Sequence, residues 1–256
     1  MTVQDFMNLV DRIAPFETQM ESDNAGLLVG SARQQVNRIL LALDVTEAVI
    51  DEAVSLGAEL IITHHPLMFT PRRSLTDADY EGRLIRRLVR ENISLIAAHT
   101  NLDQAPGGIN DTLAGLCGLT DVCGEGFLRY GTLPEAVPAR DFAAELSRRL
   151  GDSVRLMGPG ETVIRRIALC SGGGSSEWAG AEENGCDAFV SGEIRHHHAL
   201  EMADRGIVAL ECGHFATEAP GMDALASALQ NDPDTIQYKV RIFVSEVSAY
   251  SFPRHP

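Results

Sequence analysis

The chain has 256 residues, 45% hydrophobic and only 5% aromatic, with a formal net charge of −15. That length supports one large domain or two ordinary ones, with cores built from Leu, Ile, Val and Ala. The acidic balance argues against nucleic acid, which needs a positive footprint to displace counterions, and against an anionic membrane surface. The longest apolar runs, such as "ILLAL" and "LIIT", are strand-length and far short of a membrane span.

The first predicted element is a helix to about Ala14, with Phe6, Leu9, Val10 and Ile13 at helical spacing and Pro15 ending it. Asp5 and Asp11 inside this pattern leave no unbroken apolar core of a secretory signal. "SDNAGLLVGS" reads as loop and turn, with Asp23 and Asn24 in an Asx-turn. "RILLALDV" is a strand that leads to Thr46, the N-cap of helix "EAVIDEAVSLG". "AELIITHH" is a strand stopped by Pro66. A long loop, "PLMFTPRRSLTDADY", precedes the helix "EGRLIRRLVREN". "ISLIAAHT" is a further strand, and "GGINDTLAGLCGL" becomes helical. Phe127–Asp141 holds Gly131, Pro134 and Pro138; "FAAELSRRLG" is a helix and "SVRLMG" a short strand. The tail from Gly221 reads as helix, turn and alternating strand, the strand pairing with one half of the chain. Strands alternating with helices imply parallel pairing and an α/β layer architecture.

The second half repeats the first. "RILLALDVTEAVIDEAVSLGAELIITHH" from Arg38 matches "RIALCSGGGSSEWAGAEENGCDAFVSGE" from Arg166, an offset of 128 that also relates Gly57 to Gly185. "NISLIAAHTNLD" matches "RGIVALECGHFATE", with His99 to His214 and Asp103 to Glu218 both offset by 115. The expected fold is two related, intertwined α/β units. Residues 1–125 with 219–256 form the first, residues 126–218 the second, and a metal site lies between them.

Seven of the eight histidines follow apolar strand-like runs: His64 and His65, His99, His196, His197 and His198, and His214; the eighth is His255. Ligands in open α/β folds bind beyond the carboxyl ends of parallel strands, so these histidines point to a pocket rich in imidazole and carboxylate, which is metal-ligand chemistry. Adjacent strand residues face opposite ways. Past Pro66, however, both His64 and His65 can turn inward, onto one metal or one each onto two. His99-x3-Asp103 and His214-x3-Glu218 would put both groups on one face of a helical turn, yet Pro106-Gly107-Gly108 and Pro220-Gly221 suggest loops leading into helices. Four histidines and two carboxylates exceed the needs of one tetrahedral zinc. The count favours a dinuclear centre, with Asp103 or Glu218 as a bridge.

Glu193 occupies the repeat position of His65 and is the candidate catalytic residue, as a general base or as an orienter of a ligand. His196–His198 read equally as ligands or as a helix start facing solvent, and His198, near Leu200 and Met202, as a packing residue. "SGGGSS" reads as an anion-cradling loop or as a plain flexible turn. Cys117, Cys123, Cys170, Cys186 and Cys212 form no C-x-x-C pair, a pattern that fits free thiols in a reducing cytoplasm.

"DNAGLLVG", "LALDVTEAVIDEA", "LIITHHPLMF", "AAHTNLDQAPGGINDTLA", "SGGGSS", "VSGEIRHHHAL" and "ECGHFATE", in this order, closely resemble the dinuclear metal-centre hexameric protein family, the Nif-three-like or GTP cyclohydrolase type-2-like proteins. The resemblance runs from about residue 4 to residue 248. It implies a toroidal homohexamer with metal sites facing an inner cavity, in the short form without an inserted domain. It places two divalent ions per subunit (Zn, Fe or Mn) on His64, His65, Asp103, His214 and Glu218, with His99 beside them. The expected activity is metal-dependent hydrolysis of a nucleotide or another phosphorylated small molecule, GTP cyclohydrolase-like. The alternative is a non-catalytic metal-binding scaffold or regulatory interaction protein.

Overall fold

The computed structural model describes residues 1–247, so His255 and the end of the expected tail strand lie outside the described residues. In chain order the elements are α1 (Val3–Ile13), β1 (Gly26–Val29), β2 (Arg38–Ala42), α2 (Glu47–Leu56), β3 (Leu60–Thr63), α3 (Tyr80–Arg90), β4 (Ser94–Ala97) and α4 (Thr100–Gln104). They continue with α5 (Ile109–Leu116), β5 (Thr120–Cys123), β6 (Arg129–Pro138), α6 (Ala139–Leu150), β7 (Arg155–Met157), β8 (Val163–Cys170), α7 (Trp178–Glu183), β9 (Ala188–Ser191), α8 (His196–Asp204) and β10 (Val208–Glu211). The last three are α9 (His214–Gln230), α10 (Pro233–Tyr238) and β11 (Arg241–Val244).

Two compact units result, Met1–Ala105 with the chain from Met222 onward, and Pro106–Gly221. The first boundary falls at residue 105 rather than at 125. The reason is packing: Leu113, Ala114, Cys117 and Leu119 share a core with Phe142, Ile167 and Leu210. The second boundary falls inside α9.

The first unit carries a five-stranded sheet in the order β1-β4-β3-β2-β11, parallel except for β1. β3 and β4 are buried along their whole length, as the near-continuous apolar runs of a covered parallel sheet require. α1 starts on a capping box: Asp5 N–H donates to Thr2 Oγ1 (3.2 Å) while Thr2 N–H donates to the Asp5 carboxylate (2.7 Å). Thr46 caps α2 as expected, accepting from Val49 N–H at 3.2 Å. The tail strand, β11, pairs with β2.

The second unit carries a six-stranded sheet in the order β5-β6-β8-β9-β10-β7, with β8, β9 and β10 parallel. The Pro- and Gly-containing stretch after Phe127 is strand β6. It tolerates Pro134 because the register slips between Thr132 and Val137, so that Leu133–Ala136 bulge out of the ladder, and Pro138 because it is the last residue of the strand, opposite Val163.

The repeat is visible in strand register. Ile39 pairs with Leu60 in the first sheet and Ile167 with Ala188 in the second, both related by the offset of 128. On the third strand the offset is 114, since Ser94 pairs with Leu60 and Val208 with Ala188. The histidine pair at 115 therefore carries one additional residue after β10. Gly213 supplies that slack with φ +82°, a left-handed conformation that glycine adopts without strain.

Candidate metal centre

In the first unit, Ala42, Thr63 and Ala97 are neighbours across the ends of β2, β3 and β4. The hydrogen-bond ladder runs slightly past them: His65 N–H donates to Leu43 O (3.0 Å) and Ala98 N–H to Thr63 O (2.8 Å). The chain then turns, closed by Thr63 Oγ1–H donating to His65 O at 2.8 Å. His64 and His65 therefore lie just past the strand, as Pro66 predicts, and their ring centroids are 4.9 Å apart. His99, at the start of α4, brings its ring to 5.0 Å from His64 and 5.6 Å from His65. Each of the three offers a nitrogen, and these atoms lie within 4.8 Å of one another.

Every ring of this trio is anchored through Nδ1. His64 Nδ1–H donates to Ala98 O (3.0 Å), His65 Nδ1–H to Asp44 (2.7 Å) and His99 Nδ1–H to Asp23 (2.8 Å). Acceptor-only partners put the proton on Nδ1 and the lone pair of the neutral ring on Nε2. Histidines that bind metals almost always have their other nitrogen held in this way. His64 is fully buried, and its Nε2 lies 3.5 Å from Asp103 Oδ1.

The Asp23 carboxylate is enclosed, with only 1% of its side chain exposed. Burial alone would raise its pKa, but hydrogen bonds from His99 and Thr100, with the charge of His99, hold it well below the usual carboxylate range. The Asx-turn expected at Asp23 does not form: the N–H two residues on, Ala25, donates to Gln19 Oε1 (2.9 Å), while Asp23 Oδ1 accepts from the adjacent Asn24 N–H (2.7 Å) and holds His99. Asp44 escapes the sequence reading altogether. Its one signal is its place just after β2, in line with the histidines after β3 and β4.

In the second unit, His214 and Glu218 lie on the first turns of α9 rather than on a loop before it. Their i, i+4 spacing stacks them on one face, His214 Nε2 to Glu218 Oε2 at 3.1 Å. Glu193 accepts from His214 Nδ1–H at 3.0 Å, the geometry of an orienting group. Gly172, first of the three loop glycines, packs against this pair with φ +52°. A Cβ there would collide with the Glu218 carboxylate and lie 3.1 Å from His214 Nε2. Thr217 supports the loop by accepting from Gly172 N–H at 3.1 Å. The glycine loop was expected to cradle an anion or to be a plain turn; its packing against Glu218, and the support from Thr217, leave no signal in the sequence.

His196 and His197 are exposed on α8. His198 has its Nδ1 3.0 Å from Ser175 Oγ, and burial, then the neighbouring His197, push its pKa down. Among the described residues none of these three joins a group of three donors. Imidazole with carboxylate is the donor chemistry of divalent ions such as zinc, iron and manganese, so the residues fit the metal that the resemblance implies.

The family profile described as Duf34/NIF3 (NGG1p interacting factor 3) matches residues 1–250. The chain belongs to the Duf34/NIF3 family. Among family relatives, a GTP cyclohydrolase 1 type 2 homolog of Clostridium perfringens is 35% identical over 230 residues, covering 86% of this chain and 88% of the relative. A protein of the same name from Streptomyces coelicolor is 31% identical, covering 99% of this chain and 94% of the relative. The crystal structure of Staphylococcus aureus protein SA1388 superposes with a TM-score of 0.93 at 29% identity, covering 100% of this chain and 99% of that one. Reduced HcgD from Methanocaldococcus jannaschii superposes with a TM-score of 0.81 at 26% identity, covering 96% of this chain and 98% of that one. The mixed α/β fold is thus the NIF3 fold throughout. Among the described residues no helix is long and apolar enough to cross a membrane.

Proposed function

We propose that the protein binds a pair of divalent metal ions and is a metal-dependent hydrolase acting on a nucleotide or another phosphorylated small molecule. The observation that carries metal binding is the histidine trio, three imidazoles gathered within ligand distance with every Nδ1 held by another group. In this reading His64, His65, Asp103, His214 and Glu218 hold two ions per subunit (Zn, Fe or Mn). Bound ions of this kind polarise a substrate oxygen and bring the ionisation of a water towards neutral pH.

The chain's own residues then orient and exchange protons. Asp44 and Asp23 fix the rings of His65 and His99. Glu193, with 66% of its side chain exposed, orients His214 and passes protons to solvent. The names of the relatives, GTP cyclohydrolase 1 type 2 homologs, support a nucleotide as the substrate class. The family resemblance supports a homohexameric ring, and the absence of disulfides among the five cysteines is compatible with a cytoplasmic home. The charge of −15 supports a small-molecule partner over nucleic acid.

The test is metal analysis of anaerobically purified protein, joined to assays on GTP, cyclic nucleotides and phosphodiesters with and without chelator. The expected result is about two ions per subunit, their loss in the His64→Ala/His65→Ala double variant, and chelator-sensitive turnover. Full metal occupancy without turnover on any of these substrates would select the non-catalytic scaffold instead. No bound metal under any loading would sink both.

A further inference from the structure

Phe69 stands out as an apolar side chain that the fold leaves in the open. It is 53% exposed, although it lies four residues past His65 in a chain with few aromatics to spare. Its exposure is not the consequence of a loose loop. Leu67 is buried at 9%, and Asn24 Nδ2–H donates to Met68 O at 2.6 Å. The same Asn24 donates its backbone N–H to Asp23 Oδ1, the carboxylate oxygen that holds His99. One short segment, Asp23–Asn24, thus fixes both the His99 ring and the backbone beside Phe69.

The two rings meet edge to face, with centroids 5.6 Å apart and planes at 86°. Perpendicular rings cannot cover each other's faces completely. Whichever ring supplies the edge, at least one face of Phe69 is left uncovered by His99. Open aromatic faces favour offset stacking on a second planar ring, and base–aromatic stacking tolerates many bases because each has a π-face.

We propose that Phe69 is the platform on which a planar heteroaromatic ring, the purine of a nucleotide, stacks beside the imidazole trio. This rests on the reading of the trio as the reaction centre and adds a specificity-determining residue to it. A substrate made only of sugar and phosphate would have no partner for that face. A ring stacked on Phe69 is held against the group that is edge-on to it, His99, and so beside His64 and His65.

A Phe69→Trp variant of the full-length, metal-loaded protein reports stacking by fluorescence, with the wild-type signal of Trp178, the one native tryptophan, subtracted. GTP and guanosine should quench the new emission and ribose 5-phosphate should not. Phe69→Ala should weaken GTP binding roughly tenfold, Phe69→Tyr should restore it, and metal content and assembly mass should match wild type in both. Equal responses to GTP and ribose 5-phosphate, or unchanged GTP binding in Phe69→Ala, would overturn the proposal. So would a lower assembly mass of Phe69→Ala by light scattering, which would assign the ring to a subunit contact. Metal analysis separates the two claims: base-specific quenching in protein that takes up no metal would leave the stacking and remove the metal hydrolase.

Discussion

In the first unit three imidazoles are each held by a separate acceptor, Ala98 O, Asp44 or Asp23, whereas in the second a single imidazole sits between Glu193 and Glu218 on the face of a helix. The strands beneath are the same device, with matching register on β2/β3 and β8/β9. The difference begins after the strands end. Where the repeat has His64 and His65, the second unit has Gly192 and Glu193. A Cβ on Gly192 would lie 2.7 Å from both Gly172 O and Thr217 Oγ1. The first unit places a donor side chain at both positions, and the second leaves Gly192 without one, so that the Gly172 backbone can close on His214 and Glu218, and keeps Glu193 to hold the His214 ring. Duplicated frames can diverge in this way because loops after strands tolerate change that buried strands do not.

The comparison breaks most directly at Gly172. An alanine there meets a left-handed φ, costing about 1–2 kcal/mol, and a collision with Glu218 that costs about 1–3 kcal/mol in a packed site. Gly185 is also left-handed, at φ +62°, but an added Cβ there meets nothing within 4 Å. Gly172→Ala should therefore destabilise by roughly 2–5 kcal/mol and Gly185→Ala by about 1–2 kcal/mol, read from urea midpoints. Equal losses would show that Glu218 moves aside freely and that the glycine loop does not shape the pair.

Strands, helices and repeat were legible because their signals are local and periodic: apolar runs for β2, β3 and β4, an N-cap at Thr46, a stop at Pro66. The histidines were legible because their positions after those runs repeat. What was not legible depends on contacts remote in sequence. Asp23 lies 76 residues from His99, and nothing in "SDN" distinguishes a ring-holding carboxylate from a turn residue. Gly172 looks like any glycine of a flexible turn until Glu218 is placed against it. β6 was hidden because prolines normally speak against a strand, and only the register shows Pro134 in a slip and Pro138 at the strand's last position. The one-residue difference in the third-strand offset was hidden as well, since the additional residue before His214 lies beyond the strand pairs that set the register.

A smaller effect should separate the carboxylates that hold the rings. Asp23 is buried and Glu193 exposed, so water can replace Glu193 on its ring but not Asp23. Asp23→Asn frees a ring beside the proposed ligands rather than one of them, so it should weaken metal binding by no more than about tenfold, and Glu193→Gln by less, both read by competition with a chelating dye. The pH dependence has a definite sign. Because the folded protein holds Asp23 below its unfolded value of about 3.9, the carboxylate contributes stability above that pH. The contribution fades as pH falls towards the lower folded value. Asp23→Asn should therefore flatten the acid side of the stability curve, measured by urea midpoints from pH 5 to 3. An unchanged slope would show that the hydrogen bonds to Asp23 do not distinguish its charged form.

The cysteines provide the finest discrimination, because all five lie in the second unit. Cys117, Cys170, Cys186 and Cys212 are buried and Cys123 is exposed. Burial pushes the Cys117 thiol up to about 12 and that of Cys186 up to about 11, and it raises Cys212 as well. The thiolate is the reactive form, so low accessibility protects all four buried thiols, and low thiolate content adds to it for Cys117, Cys186 and Cys212. An alkylating agent near neutral pH should label one thiol in the native protein and five in denaturant, counted by mass spectrometry. Gly172→Ala should speed labelling of the buried four by loosening the second unit. Asp23→Asn should leave the native count at one, since the unit it weakens carries no cysteine. If Asp23→Asn opened the buried thiols as readily as Gly172→Ala, the two units would unfold as one body, and the differences in how they hold their histidines would not translate into separate local stabilities.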